Sequence, residues 1–223
     1  MADRIASEHH PAFEEYCETI FELEEDGMKV IQARIAERMG ISRPAVSEMV
    51  KKLTADGYIT KEGNQLALTA DGKRVADRTV RRHRLAERFL TDVLGLSWSE
   101  AHHEAGKWEH VISDSVEASM TRLLEEPTTC PHGNPIPGSG YIAPETQALS
   151  ETECGASVTI SRIPEELEFI PGMLEFLESR DITPGAVATI IDTRPNGSTS
   201  IEIGGKTVKL DLTAASRILV SAD

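Results

Sequence analysis

The chain of 223 residues contains no run of about 18 apolar residues, so no transmembrane helix is expected. Its first residues are polar and acidic, which excludes a secretory signal peptide. Only three cysteines occur, Cys17, Cys130 and Cys154. So few, and odd in number, they argue against a disulfide framework and for a reducing cytoplasm. There is no HExxH pattern, no nucleophile motif and no internal repeat. Net positive charge is missing too: 37 acids against 23 Lys and Arg leave −14.

That deficit would argue against a nucleic-acid partner if it were uniform, but it is not. Residues 1–27 hold nine acids and one base. Residues 28–96 hold fourteen bases and eight acids, and residues 97–223 return to eight bases and twenty acids. Positive charge is confined to one block, as phosphate contact requires.

Within that block the spacing predicts a DNA-reading unit. Phe13 to Glu25 reads as a helix with Tyr16, Ile20 and Leu23 on one stripe. Ile31 to Met39 is a short second helix closed by Gly40. Ser42 as N-cap and Pro44 in the first turn open a third, which runs to about Asp56. Two short strands, Tyr58 to Thr60 and Leu66 to Leu68, flank a Glu62-Gly63-Asn64 turn and form a wing. The unit is thus a winged helix-turn-helix, whose third helix would enter the major groove with its N-terminal residues. These are Ser42, Arg43, Pro44, Ala45, Ser47 and Glu48. Short side chains permit close approach, Pro44 or Ala45 suits a thymine methyl, and Glu48 would accept from a cytosine amino group. Gln32, Arg34, Lys51 and Lys52 are placed to hold phosphates. Three ordinary packed helices with a solvated charged face are the competing reading; the glycine turn, the cap, the wing and the confined charge weigh against it.

Thr69 caps a long basic helix reaching about Val93, and Ser97 or Ser99 opens another to about Glu125, with Val111, Val116 and Leu123 suited to a partner. Pro127 to Glu153, rich in Pro, Gly, Ser and Thr, reads as a linker. Short strands at Val158 to Ile160, Ala186 to Ile191, Ser200 to Ile203 and Val208 to Leu210, with a helical turn over Pro171 to Ser179, suggest a small SH3-like barrel. Such a module would also bind proline-rich segments of its own chain around Pro131 to Pro144, unless that stretch is merely flexible.

Metal-ligand residue types follow the reader. His83 and Glu87 lie at i, i+4; His102, Glu109 and His110 at i, i+7 and i+8, near one helix face. Imidazole and carboxylate together suit a divalent transition ion. Spacing alone does not bring the helices together, and each pair taken singly is equally an exposed ion pair.

Four segments then carry a family resemblance: ARIAERMGISRPAVSEMVKKLTADGYI, HRLAERFLTDVLGL (His83 to Leu96), HHEAGKWEHVISDSVE (His102 to Glu117) and HGNPIPG (His132 to Gly138). They resemble the diphtheria toxin repressor family over essentially the whole chain. The resemblance implies a cytoplasmic, homodimeric, metal-activated transcriptional repressor. Its expected partner is double-stranded palindromic operator DNA, with two dimers per operator, and no membrane. The implied architecture is mainly α with a β C-terminal module: a winged helix-turn-helix over 1–75, a helical dimerisation and metal-binding domain over 76–143, a linker over 144–155 and an SH3-like (FeoA-type) domain over 156–223. One metal site of the family matches His83, Glu87 and His102. In the branch carrying CPHG, Cys130 and His132 join it, and a carboxylate from the SH3-like domain completes it, assigned to Glu168 with Glu165 and Glu166 as rivals. The regulatory site matches Glu15, Glu109 and His110. Iron members carry Met at the position of Glu15 and Cys at that of Gly106, whereas manganese members carry carboxylates at both. Gly106 departs from both patterns and offers only its carbonyl, and Glu18, one turn from Glu15, compensates. Hard oxygen donors favour Mn(II) over Fe(II), with Co, Ni, Zn and Cd as substitutes in vitro; Cys130 tempers that preference. Two other classes compete: a thiol-based redox repressor acting through Cys17, and a metallo-hydrolase, which would need an open metal position and a general base.

Overall fold

The computed structural model describes residues 11–194 and 197–222. It holds the mainly helical architecture with a β C-terminal module that the patterning predicts. The N-terminal unit comprises α1 (Pro11–Glu25), α2 (Gln32–Arg38), α3 (Arg43–Ala55) and a hairpin of β1 (Ile59–Glu62) and β2 (Gln65–Leu68). Tyr16, Ile20 and Leu23 of α1 pack with Ile35, Val46, Val50, Leu53, Ile59 and Leu66 in one core. Because α1 supplies the floor of this core, moving α1 moves the reader. The turn between α2 and α3 forms as expected: Gly40 adopts φ +65°, which lets the Ile41 N–H reach back to Ala36 O. Ser42 then accepts from Ala45 N, a cap that contributes about 1 kcal/mol.

Thr69 caps α4 (Ala70–Arg88), which passes into a π-helical turn over Phe89–Val93. The expected single helix from Ser97 to Glu125 is two, α5 (Trp98–Trp108) and α6 (Asp114–Leu123). The chain bends because Ser113, in extended conformation, caps α6 by accepting from Val116 N, and the side chain of Ser97 closes a full capping box with Glu100 on α5. The bend places Glu109 and His110 at the end of α5, facing back toward α1. Val111, Val116 and Leu123 are exposed, as are Val93 and Leu94.

Much of the basic charge of α4 is turned inward. Arg78 binds Glu14, Arg81 and Arg82 share Glu117, and fully buried Arg84 joins Glu25 of α1 to Glu165. Lys29, Arg43, Lys51, Lys52 and Lys61 face outward in the reader, with Lys52 also over the Phe13 ring.

The C-terminal module is one antiparallel sheet in the order β3-β8-β4-β5-β6-β7, curled by register shifts in β4 and β5. Its strands are β3 (Gln147–Ala148), β4 (Ser157–Arg162), β5 (Val187–Thr193), β6 (Thr199–Ile203), β7 (Lys206–Leu210) and β8 (Leu219–Ala222); the short helices α7 (Glu165–Glu168), α8 (Met173–Glu178) and α9 (Leu212–Arg217) lie between them. The expected linker over 144–155 is not loose chain: β3 pairs with β8 and Leu149 is fully buried. Two-residue β3 and short α7, α9 and β8 carry too little periodicity to be read in advance.

The stretch from Cys130 to Ile136 is likewise no spacer. The Ile163 N–H donates to His132 O, Asn134 Nδ2 donates to Ile163 O, and Gly133 at φ +87° lies so close to β4 that a Cβ would stand 2.4 Å from Ser161 O. The proline-rich segment therefore docks on the module of its own chain. Trp98 of α5 also enters the module's core. Reader, helical domain and module meet at Arg84. Replacing it with Ala leaves the buried Glu165 carboxylate without its cation, while Glu25 keeps Arg162, and we expect a loss of about 3–5 kcal/mol, measured by denaturant unfolding of the metal-free protein.

Candidate metal centre

Five elements converge on one polar region: α1, α4, α5, the loop at 130–134 and α7. On α4, His83 and Glu87 share a face one turn apart. His102 of α5 stands opposite, its Nδ1 3.0 Å from Glu87 Oε1 and 3.3 Å from His83 Nε2. The tight turn after Cys130, closed by the Gly133 N–H on Cys130 O, delivers His132. Its Nδ1 lies 2.9 Å from Glu168 Oε2 and 3.6 Å from Glu87 Oε1. Cys130 groups with Glu87 and His132 within ligand distance of one another, all buried. Glu168 Oε2 also stands 3.1 Å from His102 Nδ1. Of its two rivals, Glu166 is paired outward with Arg217 at 2.6 Å, while Glu165 is held by Arg84 at the edge of the cluster.

The second cluster joins α1 to the end of α5. Glu15 Oε1 and Glu109 Oε1 each lie 3.2 Å from His110 Nε2. Gly106, one turn back on α5, leaves open space where a side chain would project. Glu18 does not complete this cluster as expected; it groups instead with Glu109 and His83. His83 is the link between the clusters, with Nδ1 2.5 Å from Glu109 Oε2 and Nε2 3.3 Å from Glu87 Oε1. A cavity of about 400 Å³ lined by Glu15, Glu18, His83, His102, Gly106 and Glu109 opens along both.

Sequence reasoning missed several partners. Glu14, next to Glu15, lies 2.8 Å from His110 Nδ1 and also holds Arg78. Asn134 donates to Glu168 Oε1 and accepts from Arg162, fixing the carboxylate. Trp98 packs edge-on against His132, and Phe169 against His102 while lying under the Arg38 guanidinium of α2. Asn134 stood within the HGNPIPG segment and was findable there; the aromatic contacts depend on the docking of the module.

Electrostatics fit a cation. Burial would raise Glu87, yet His132, His83 and His102 hold it well below the usual carboxylate range. Burial opposes charge on Glu168 too, but His132 and His102 bring it to about 2. Burial opposes charge on His102, but the Glu168 and Glu87 carboxylates beside it push it to about 10, and hydrogen bonds to Glu14 and Glu15 raise His110 to about 10. Burial and the neighbouring Glu109 raise Glu18 well above its ordinary value. Still, Glu87 Oε2, Glu168 Oε2, both ring nitrogens of His132 and Glu18 Oε1 are buried without a hydrogen bond. His132 Nδ1 and Glu168 Oε2 are close, but not aligned as donor and acceptor. Buried carboxylate and imidazole atoms converging with unused lone pairs are what a divalent ion satisfies. The residues present fit such a group.

The comparisons with known proteins agree. Residues 10–66 match the family "Iron dependent repressor, N-terminal DNA binding domain", residues 69–138 "Iron dependent repressor, metal binding and dimerisation domain", and residues 147–222 the FeoA domain. The iron-dependent repressor IdeR of Mycobacterium tuberculosis is 39% identical over 204 residues, covering 86% of this chain and 88% of that protein. The chain belongs to the diphtheria toxin repressor family. The diphtheria toxin repressor of Corynebacterium diphtheriae is 37% identical across 88% of this chain and 91% of its own. A solved manganese-dependent transcriptional repressor in complex with manganese superposes with a TM-score of 0.85 at 33% identity, over 95% of this chain and all of that one. The protein is accordingly a metal-dependent transcriptional repressor with DNA-binding and dimerisation domains, and not an enzyme. No helix among the described residues is long and apolar enough to cross a membrane. A thiol switch at Cys17 is disfavoured, since burial pushes that thiol up to about 12.

Because His83 faces both clusters, His83→Ala is expected to weaken metal uptake at two sites, each by more than about tenfold. His132→Ala should weaken one only. Metal titration with calorimetric readout distinguishes these outcomes.

Proposed function

We propose that this repressor is activated by Mn(II), held by Glu15, Glu109 and His110, while His83, Glu87, His102, Cys130, His132 and Glu168 hold a second ion. The observation that carries the reading is that Glu15 and Glu109 converge on His110 from two different modules. Glu15 sits on α1, the floor of the reader's core, and Glu109 and His110 sit in the turn that ends α5. The carboxylates repel one another across that joint. A bound dication supplies the positive charge they lack, and both elements are then held at one angle. The Glu168 side extends the same constraint to the C-terminal module, whose Phe169 contacts Arg38 of α2.

The exposed apolar residues Val93, Leu94, Val111, Val116 and Leu123 form the surface through which two copies would pair. Two readers in a dimer then address successive major grooves about 34 Å apart on a palindromic operator, with a second dimer on the same operator. Ser42, Arg43, Pro44, Ala45, Glu48 and Lys51 are exposed at the start and outer face of α3, with Ser47, Gln32 and Arg34 half-buried beside them. Arg43 and Glu48 are placed for base edges, and Lys51 for phosphate. Metal and DNA must tighten each other reciprocally.

Fe(II) as corepressor is the second reading, favoured by the Cys130 thiol and by the iron-dependent relatives. The test is capture of genomic fragments by purified protein in Mn(II), in anaerobic Fe(II) and in chelator. Capture in Mn(II) alone supports the first reading, equal capture in Fe(II) the second, and equal capture in chelator overturns both. Glu15→Ala or His110→Ala should abolish metal-dependent capture while the dimer, followed by sedimentation, persists.

A further inference from the structure

The two clusters are built from different donors, and the difference has a direction. Within the inner cluster, Cys130, Glu87 and His132 are no more than 1% exposed, the thiol grouping with the His132 imidazole and the Glu87 carboxylate. Four of its donor atoms lack hydrogen bonds: Glu87 Oε2, Glu168 Oε2 and both His132 nitrogens. The outer cluster groups Glu15, Glu109 and His110, without sulfur. The Glu15 side chain there is half exposed, and Gly106 adds no side chain. Thiolate and imidazole select borderline-soft ions, whereas carboxylate, carbonyl and water select hard ones.

Resting on the repressor reading above, we propose that the protein sorts two different ions: the inner centre takes a thiophilic ion of the Zn(II), Co(II) or Fe(II) class through Cys130, and the outer centre takes Mn(II). The inner ion ties the 130–134 loop and the C-terminal module to α4 and α5. The outer ion alone ties α1 to α5. Cys130 is the residue that keeps the two from interchanging. The loop is shaped for this: the Cys130 N–H donates to Asn134 O, the Gly133 N–H donates to Cys130 O, and Asn134 fixes Glu168, so thiol and carboxylate are presented together.

The test uses the metal-free full chain. One equivalent of Co(II) is added first, then Mn(II). A thiolate-to-cobalt charge-transfer band should reach full intensity with the first equivalent. Mn(II) should then bind at one further equivalent per protomer, followed by electron paramagnetic resonance, without loss of the band. Glu15→Ala should keep the band and lose the bound Mn(II). Cys130→Ser, checked for fold by near-ultraviolet circular dichroism, should lose the band. Absence of the band in the wild-type chain, or its loss on adding Mn(II), overturns the proposal without touching the repressor reading. That reading fails separately if genomic fragments are captured equally in chelator.

Discussion

Negative charge is concentrated where the three modules meet. Glu18, Glu22, Glu87, Glu109, Glu165 and Glu168 are all buried there, contributed by α1, α4, α5 and α7. Two like charges about 4 Å apart repel by roughly 4 kcal/mol at the effective dielectric of a protein surface, several times the contribution of a helix cap. The chain offsets part of this with arginines turned inward: Arg84 on Glu25 and Glu165, Arg38 on Glu22, Arg162 on Glu25 and Asp26. Imidazoles drawn upward in basicity offset more. Unused lone pairs on Glu18, Glu87 and Glu168 remain. A joint assembled this way has buried lone pairs left over for added positive charge.

The helix α4 is the spine that makes local charge global. Its N-terminal half meets α1 through Arg78 and Glu14, its middle carries His83, Arg84 and Glu87, and its Arg81 and Arg82 hold α6. Anything that fixes His83 and Glu87 therefore acts at once on the reader's floor, on the helices bearing the exposed apolar residues and on the docked module. The same helix explains the odd charge balance. Several of its arginines are occupied inside the protein, and exposed Lys73 and Arg74 are paired with Asp77 and Asp71, so the outward electrostatic face of the reader is narrower than the sequence block implies. Arg43, Lys51 and their neighbours on α3 and the wing make up that face.

Docking of the HGNPIPG loop on β4 deserves its place beside the ion pairs. A backbone approach at Gly133, two hydrogen bonds to Ile163 and the Trp98 ring against His132 hold a segment whose composition suggests slack chain. Proline and glycine there serve a close-packed turn. Composition reports the freedom a segment has before folding, and contacts with other parts of the chain decide whether it keeps it.

The sequence by itself determined what short-range physics controls. The Ser42 cap, the Gly40 turn, the apolar stripe of α1 and the wing were legible because each is a signal between residues a few positions apart. So was the pairing of His83 with Glu87, which follows from helical spacing. Tertiary structure decided the rest. It divided α5 from α6 and turned the arginines of α4 inward. It set Glu168 rather than Glu166 against His102 and His132, brought Glu14 to His110, and made His83 common to both clusters. These contacts join residues up to about a hundred positions apart, as with Glu14 and His110. Their geometry is fixed by how helices and sheet pack, which no local pattern encodes.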